Sequence, residues 1–271
     1  GEAIIITNKS IKVVLKKSGI HGGEFLSQVK TLLNDSHQKL LTGISISNYL
    51  GKKLVSAKSE RLAKKPARVN VEDLEYQIDL ERMSRKLGME FTMYRESISD
   101  SSLRNLSTVA DLMVIDRKGL QQFCGDDILS DLVEAVTCPV LILPETKTID
   151  SLVMLHDGSL SAVKSVKQFL GIFDASLRKL PVSVLVGEPE SKQAIEAEKV
   201  FIDYIKLFFG DIGIKLMDEA PVECLKKEVK TASGNPMVIT GKLGGEEILN
   251  CTPENRIITD TAPTFIFKNR A

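Results

Sequence analysis

Two apolar segments decide the fold of this chain, because each of them occurs twice. ADLMVID (residues 110–116) is followed by a loop, a helical stretch and then TCPVLILP (residues 137–144). NPMVITG (residues 235–241) and TAPTFIFK (residues 261–268) repeat that order, offset by about 125 residues. A repeat at a fixed period indicates repeated structural units, so we interpret the chain as a duplicated domain.

Around these segments, short apolar strands alternate with amphipathic helices in both halves, which indicates a parallel sheet with crossover helices. The expected strands are residues 12–16, 39–45, 90–94, 112–115 and 140–143, then 152–155, 181–186, 214–217, 237–240 and 264–267. Nearly continuous apolar strands are typical of sheets covered by helices on both faces. The predicted fold class is therefore α/β, with two tandem, doubly wound, mainly parallel five-stranded sheets of the Rossmann-like type.

The segment PETKTID (residues 144–150) interrupts the apolar pattern between the two copies. We therefore expect a first domain at residues 1–147 and a second at residues 148–271.

Lysine plus arginine balances aspartate plus glutamate at 36 each, so no global electrostatic field favours nucleic acid or an anionic membrane as a partner. The basic stretch at residues 58–68 is interpreted as a solvated loop.

Four cysteines lie at wide spacings without a C-x-x-C motif, which fits neither a zinc knuckle nor a disulfide framework. Reduced thiols in a cytoplasmic protein are the expectation. The apolar run at residues 3–7 is too short for a signal sequence or a membrane span and is interpreted as a strand.

Residues 152–170, LVMLHDGSLSAVKSVKQFL, give an apolar strand, an Asp-Gly-Ser turn and an amphipathic helix. This order resembles the opening of a universal stress protein domain, and the repeated segments resemble that family's fourth and fifth strands. The resemblance covers essentially the whole chain as a tandem of two domains, and implies an adenine nucleotide alpha hydrolase-like fold with a role in stress. It also implies that residues 140–143 and 264–267 meet in an intramolecular pseudo-dimer, while a homodimer stays open.

Nucleotide-binding members of that family place an Asp after the first strand and a Gly-x2-Gly-x9-Gly-Ser/Thr loop after the fourth. Glycines let backbone N–H groups approach phosphates, and a helix N-terminus adds positive charge. The residues that match are Asp157, Gly158, Ser159, Gly241 and Gly244. They are therefore the candidate contacts for ATP or AMP. The pattern then departs, because Glu254 and Asn255 replace the last Gly and Ser/Thr, and a carboxylate there would repel phosphates.

Each candidate residue also has an ordinary structural interpretation. Asp157 can shape a turn or cap the following helix, and Gly241 and Gly244, with Gly245 beside them, can simply give a flexible loop. The first half departs further from the family pattern, because its first strand ends in Lys16-Lys17 and Asp116 replaces the first glycine. We expect that the first half has lost its site.

We predict no catalytic residues and no metal site. The three histidines lack metal-binding spacing, and there is no G-x-S-x-G motif. His156, Asp157 and Ser159 are sequence neighbours, which do not face one another as a catalytic triad must. The expected function is a non-enzymatic, stress-associated binding or interaction protein with an unknown protein partner, binding an adenine nucleotide weakly in its second half. A nucleotide hydrolase or phosphotransferase is the alternative, and a purely structural pseudo-dimer is a third possibility.

Overall fold

The computed structural model describes residues 8–15, 22–35, 38–45, 71–94, 96, 98–117, 127–144, 148–249 and 256–268. Several sequence interpretations lie outside the described residues, namely the strand at 3–7, residues 16–18, the loop at 58–68, Cys124, Cys251 and residues 254–255. Residues 145–147 also lie outside them, so the domain boundary placed there stays a prediction.

The described strands form one mainly parallel sheet of ten strands. They are β1 (Asn8–Leu15), β2 (Gln38–Ser45), β3 (Glu90–Tyr94), β4 (Leu112–Asp116), β5 (Val140–Leu143), β6 (Ser151–His156), β7 (Val182–Val186), β8 (Ile212–Leu216), β9 (Pro236–Thr240) and β10 (Thr264–Ile266). Their order across the sheet is β3-β2-β1-β4-β5-β10-β9-β6-β7-β8. The arrangement of the first five strands is thus repeated by the last five, which is what the duplicated sequence pattern predicts.

Helices connect the strands. They are α1 (Gly22–Leu32), α2 (Val71–Lys86), α3 (Asp100–Thr108), α4 (Asp127–Ala135), α5 (Leu160–Ile172), α6 (Lys192–Lys206), α7 (Pro221–Thr231), α8 (Lys242–Leu249) and α9 (Arg256–Thr261), with a 3-10 helix at Ala175–Lys179. Their ends follow local chemistry. The Ser191 side chain caps α6 by accepting a hydrogen bond from the Ala194 N–H. Gly88, with φ of 70°, follows α2 in the left-handed conformation that glycine adopts easily.

The sheet is covered on both faces, as the apolar strands predict. In β4, Leu112 and Val114 belong to a large cluster on one face, whereas Met113 and Ile115 belong to a separate cluster on the other. All four side chains are buried. Side chains of successive strand residues point to opposite faces, so an unbroken apolar strand requires two apolar layers. Of the helices in the described part of the chain, none is long and apolar enough to cross a membrane.

The two halves join through their last strands, which confirms the contact implied by the family resemblance. β5 and β10 pair antiparallel, with Phe265 opposite Leu141 and Ile266 opposite Val140. The other strand pairs of the described sheet are parallel. The two predicted five-stranded sheets are therefore joined edge to edge, which covers edges that would otherwise be open to pairing.

Contacts beside the strands strengthen this junction. The Asp174 N–H donates to the Leu32 carbonyl oxygen at 2.8 Å, which links the end of α5 to the end of α1. The buried Arg117 side chain donates through Nε to Asp260 Oδ1 at 2.7 Å, which links the loop after β4 to α9. Lys268, which follows β10, forms an ion pair with Glu134 of α4. Hydrogen bonds and ion pairs thus connect the halves on both sides of the β5–β10 pair.

Candidate functional site

The carboxyl end of β6 is the natural ligand position in this sheet. β6 lies between β7, which follows it in sequence, and β9, which comes much later. The chain therefore leaves β6 towards one side of the sheet and returns on its other side. Open α/β sheets bind ligands outside the carboxyl ends of strands at such a switch point. The structure brings Asp157, Gly158 and Ser159 to this edge, directly after β6.

Asp157 shapes the turn after β6. Its Oδ1 accepts a hydrogen bond from the Ser159 N–H at 3.0 Å, and Gly158 between them has φ of 79°, where glycine is favoured. The cap of α5 is Ser159, whose Oγ accepts from the Ala162 N–H at 3.2 Å. Of the structural roles expected for Asp157, turn formation is therefore observed, and helix capping belongs to its neighbour. Contact with a ligand stays a prediction for all three residues.

A cavity of about 390 Å³ opens at this turn, between the ends of β6 and β7 and the start of α6. It is lined by His156, Asp157, Gly158, Gly187, Glu188, Pro189, Glu190, Ser191, Ala194, Ala197 and Glu198. Among the described residues, the lining thus contains four carboxylates and neither lysine nor arginine. Charges of one sign in a cleft focus the field, so the cavity disfavours anions such as phosphates and favours neutral or cationic groups.

His156 forms the inner wall of the cavity, and it is the titratable group there whose environment is most perturbed. Its side chain is only 4% exposed and stacks on the Phe201 ring, with centroids 4.2 Å apart and 19° between the planes. Within the described residues, Nδ1 has no hydrogen-bond partner. Burial lowers the pKa of His156 below its usual value of 6.5, and the neighbouring Asp157 carboxylate opposes part of that effect. The imidazole is therefore neutral at pH 7, and its unpartnered Nδ1 is itself buried.

This burial predicts a pH dependence of stability. In the unfolded chain His156 binds a proton below about pH 6.5, whereas in the folded chain it resists protonation until a lower pH. The free energy of unfolding is thus unaffected by His156 above pH 6.5 and falls as the pH decreases towards the folded pKa. Urea unfolding between pH 7.5 and 5 should show this fall.

His156→Phe isolates the contribution of this residue, because phenylalanine keeps the ring that stacks on Phe201 and removes the titrating nitrogen. We expect the fall in stability to become smaller in this variant. An unchanged pH profile would assign the effect to other groups and contradict a buried neutral His156.

Gly241 and Gly244 do not lie in a flexible loop, as the sequence suggested, but at the tightly packed start of α8. α8 begins at Lys242, so Gly244 lies inside a helix. A Cβ atom on Gly241 would lie 2.6 Å from the Ala162 nitrogen, and one on Gly244 would overlap the side chains of Leu155 and Thr240. Both glycines are therefore required by close packing around the end of β6. Whether they also contact a nucleotide stays a prediction.

Ser161 fills the space between the two helices that begin at this edge. Its Oγ accepts a hydrogen bond from the Lys242 N–H and donates to the Phe267 carbonyl oxygen at 3.5 Å. One hydroxyl on α5 thus holds the start of α8 and the end of β10. The family resemblance implies a phosphate cradle at this position. Here the Lys242 N–H, which would belong to that cradle, is already bound to the Ser161 hydroxyl.

Sequence reasoning missed the outer wall of the cavity, which residues 187–191 form. This stretch, GEPES, follows β7 at the same sheet edge and supplies Glu188 and Glu190, and α6 adds Glu198. A signal was present, because polar residues directly after a second parallel strand reach the same edge as those after the first. Among the residues that the structure describes, no group of three or more His, Cys, Asp or Glu side chains is placed to hold a metal ion.

Comparisons with known proteins find likeness in structure alone. No protein-family model matches the sequence, and no curated protein matches it. A universal stress protein from Archaeoglobus fulgidus DSM 4304 aligns with 98% of this chain and 98% of its own, with a TM-score of 0.60 and 11% identity. The cytoplasmic domain of a prokaryotic cation chloride cotransporter aligns over 96% and 95%, with a TM-score of 0.48 and 10% identity.

A protein from Mycobacterium tuberculosis H37Rv aligns with 42% of this chain and 89% of its own, with a TM-score of 0.29 and 12% identity. The alignment with the Archaeoglobus fulgidus protein carries the argument, because it includes both halves of the ten-stranded sheet. An identity of 11% supports a common fold and says nothing about a shared ligand. The resemblance seen in the sequence is confirmed at that level, and the fold of this chain is that of a universal stress protein.

Proposed function

We propose that this chain is a cytoplasmic, non-enzymatic binding module that holds the base and ribose of an adenine nucleotide weakly beside Asp157. The cavity at the end of β6 carries the proposal, because its volume of about 390 Å³ lies within the range of small-molecule sites. The stress-associated role rests on the fold alone. The cytoplasmic location rests on the sequence, in which four widely spaced cysteines fit no disulfide framework.

The chemistry of the lining favours a nucleoside over its phosphates. The neutral His156 ring, which lines the cavity and stacks on Phe201, gives an apolar wall for a base. The Asp157 carboxylate accepts hydrogen bonds from ribose hydroxyls or an amino group. Phosphates would meet the four carboxylates of the lining, and the helix start where they would bind is occupied by Ser161. Affinity should therefore fall as phosphates are added.

The hydrolase or phosphotransferase alternative needs groups that neutralise phosphates, namely basic side chains, a metal site or open helix N–H groups. The cavity presents carboxylates instead. The Ser159 hydroxyl caps α5, which leaves it poorly suited to act as a nucleophile. These observations favour binding without catalysis, and we keep the binding proposal.

Calorimetric titration of the full chain with adenosine, AMP and ATP at low salt tests the proposal. We expect adenosine to bind with a dissociation constant near millimolar, and ATP to bind at least tenfold more weakly because of repulsion by the lining. Asp157→Asn keeps an oxygen for the Ser159 N–H but removes the charge. It should weaken adenosine binding about fivefold, since hydrogen bonds to charged groups are the stronger ones.

Two glutamates of α6 give a matched comparison. Glu198 lines the cavity, whereas Glu196 lies on the same helix and lines a separate apolar groove. Glu198→Gln should strengthen ATP binding several-fold, and Glu196→Gln should not change it. ATP binding more tightly than adenosine, or equal effects of the two variants, would contradict a site at this cavity.

A further inference from the structure

β8 forms one end of the sheet, and no further strand lies beyond it among the described residues. Its apolar side chains are unusually exposed, with Ile214 at 49% and Leu216 at 60%. An apolar edge strand is a template for pairing with another chain, and proteins normally protect such edges with prolines, bulges or charges. β8 contains no proline, and its single charged residue, Lys215, is bound to Glu228 of α7 at 2.8 Å.

The backbone of β8 shows which groups face outwards. The Val182 N–H donates to the Asp211 carbonyl oxygen at 2.9 Å, and the Met217 N–H donates to the Val186 carbonyl oxygen at 2.8 Å. Successive residues of a strand direct their hydrogen-bonding groups to alternate sides, so the odd-numbered residues of β8 face β7. The N–H and C=O groups of Ile212, Ile214 and Leu216 therefore point away from the sheet.

We propose that β8 pairs antiparallel with β8 of a second copy of this chain, around a two-fold axis at Ile214. In this register Ile214 faces the partner subunit's Ile214, and Ile212 faces the partner subunit's Leu216. These are the outward-facing residues, so each facing pair exchanges two backbone hydrogen bonds. This register pairs the whole length of the strand. Sliding one strand by two residues would keep the same residues facing the partner, but would leave some of their N–H and C=O groups without a partner.

The side chains are self-complementary in the same register. Ile212, Ile214 and Leu216 lie on one face, so the two strands bring apolar side chains together there. On the other face Gly213 lies opposite the partner subunit's Lys215, and the two lysines are only diagonal neighbours. Among the described residues, a Cβ atom on Gly213 would meet only the Val182 carbonyl oxygen, at 3.9 Å, so their packing does not require glycine. Its missing side chain leaves room for the opposing lysine.

Single cysteine substitutions in the full chain test both the pairing and its register. Residues in a hydrogen-bonded antiparallel pair have Cα atoms about 5.5 Å apart, within reach of a disulfide. Ile214→Cys should therefore form a covalent dimer of twice 29.9 kDa under mild oxidation. Leu216→Cys should not, because the two copies of that residue are about 13 Å apart along the strands. Peptide mapping must show the 214–214 link, with the unsubstituted chain as the background control.

Sedimentation equilibrium of the unoxidised chain measures the association itself. We expect a concentration-dependent dimer of modest affinity, since one short strand pair buries less area than a standard interface. Ile214→Lys places like charges directly opposite one another and should weaken dimerisation about tenfold or more. Val200→Lys changes an exposed apolar residue of α6 away from this edge and should leave dimerisation unchanged. A monomer at all concentrations, or equal cross-linking at 214 and 216, would overturn the proposal.

Discussion

Replacing Phe265 with alanine is expected to lower the free energy of unfolding by about 4 kcal/mol. Phe265 lies in β10 at the junction of the two halves and is fully buried. Its ring packs edge-on against Phe173, with centroids 5.2 Å apart, and against Phe169 at 6.2 Å. Across the strand pair it faces Leu141 of the first half. Alanine would leave a cavity shared by both halves, so urea unfolding followed by circular dichroism should shift to lower urea concentration.

Phe208→Ala is the matched control, because it removes the same ring from a half-buried position away from the junction. Its cost should be less than half as large, since less apolar surface is lost from the interior. A loss below 2 kcal/mol for Phe265→Ala, or equal losses for the two variants, would show that the β10 junction is not a tightly packed part of the core.

The junction could be anticipated because its strands carry an unusually clear signal. VLIL in β5 and TFI in β10 are fully buried short strands that repeat at a constant offset, and each follows a proline. Such runs need cover on both faces and at the edges, which the antiparallel pair provides. The contacts beside the strands, such as the Arg117–Asp260 ion pair, could not be anticipated. They join residues far apart in the chain, and no periodic pattern marks them.

The sequence predicts the sheet edge at which the candidate site lies, but not the residues that form the outer wall of its cavity. Asp157 ends an apolar strand, and the rule that ligands bind at carboxyl edges places it correctly. The cavity depends on residues 187–191, which line it together with the first turns of α6, and a strand pattern does not predict the path of such a loop. Its acidic character follows from three glutamates that no single sequence motif groups together. A strand pattern therefore predicts which edge is used, while the charge of the cavity needs the three-dimensional arrangement.

The glycines show the limit of local reasoning most directly. A Gly-x2-Gly spacing suggests either a phosphate loop or a flexible turn when only sequence neighbours are considered. In the structure Gly244 packs against Leu155, and Gly241 packs against Ser161, each about 80 or more residues earlier in the chain. Close approach between elements is a tertiary property, so a glycine needed for packing looks the same in sequence as a glycine needed for flexibility.

Gly241→Ala is expected to lower the free energy of unfolding by about 3 kcal/mol, at the upper end of overpacking costs. The new Cβ atom would lie 2.6 Å from the Ala162 nitrogen and 2.7 Å from the Ser161 carbonyl carbon. Both are backbone atoms of α5, so the helix itself would have to move. The shift would disturb the hydrogen bond from the Lys242 N–H to Ser161 and the first turn of α8, where the Gly245 N–H donates to the Gly241 carbonyl oxygen at 3.0 Å. Urea unfolding measures the loss.

Gly171→Ala, in the neighbouring helix α5, is the control and is expected to raise stability instead of lowering it. Gly171 lies exposed in α5, and a Cβ placed on it meets no atom within 4 Å among the described residues outside its own stretch of helix. Alanine should therefore raise stability by about 0.5–1 kcal/mol through its higher helix propensity. If Gly241 instead served a flexible phosphate loop, Gly241→Ala would leave stability nearly unchanged and reduce ATP binding. A large loss of stability together with nucleoside binding that persists in the folded fraction would assign Gly241 to packing, and would place the ligand at the cavity beside His156 and Asp157.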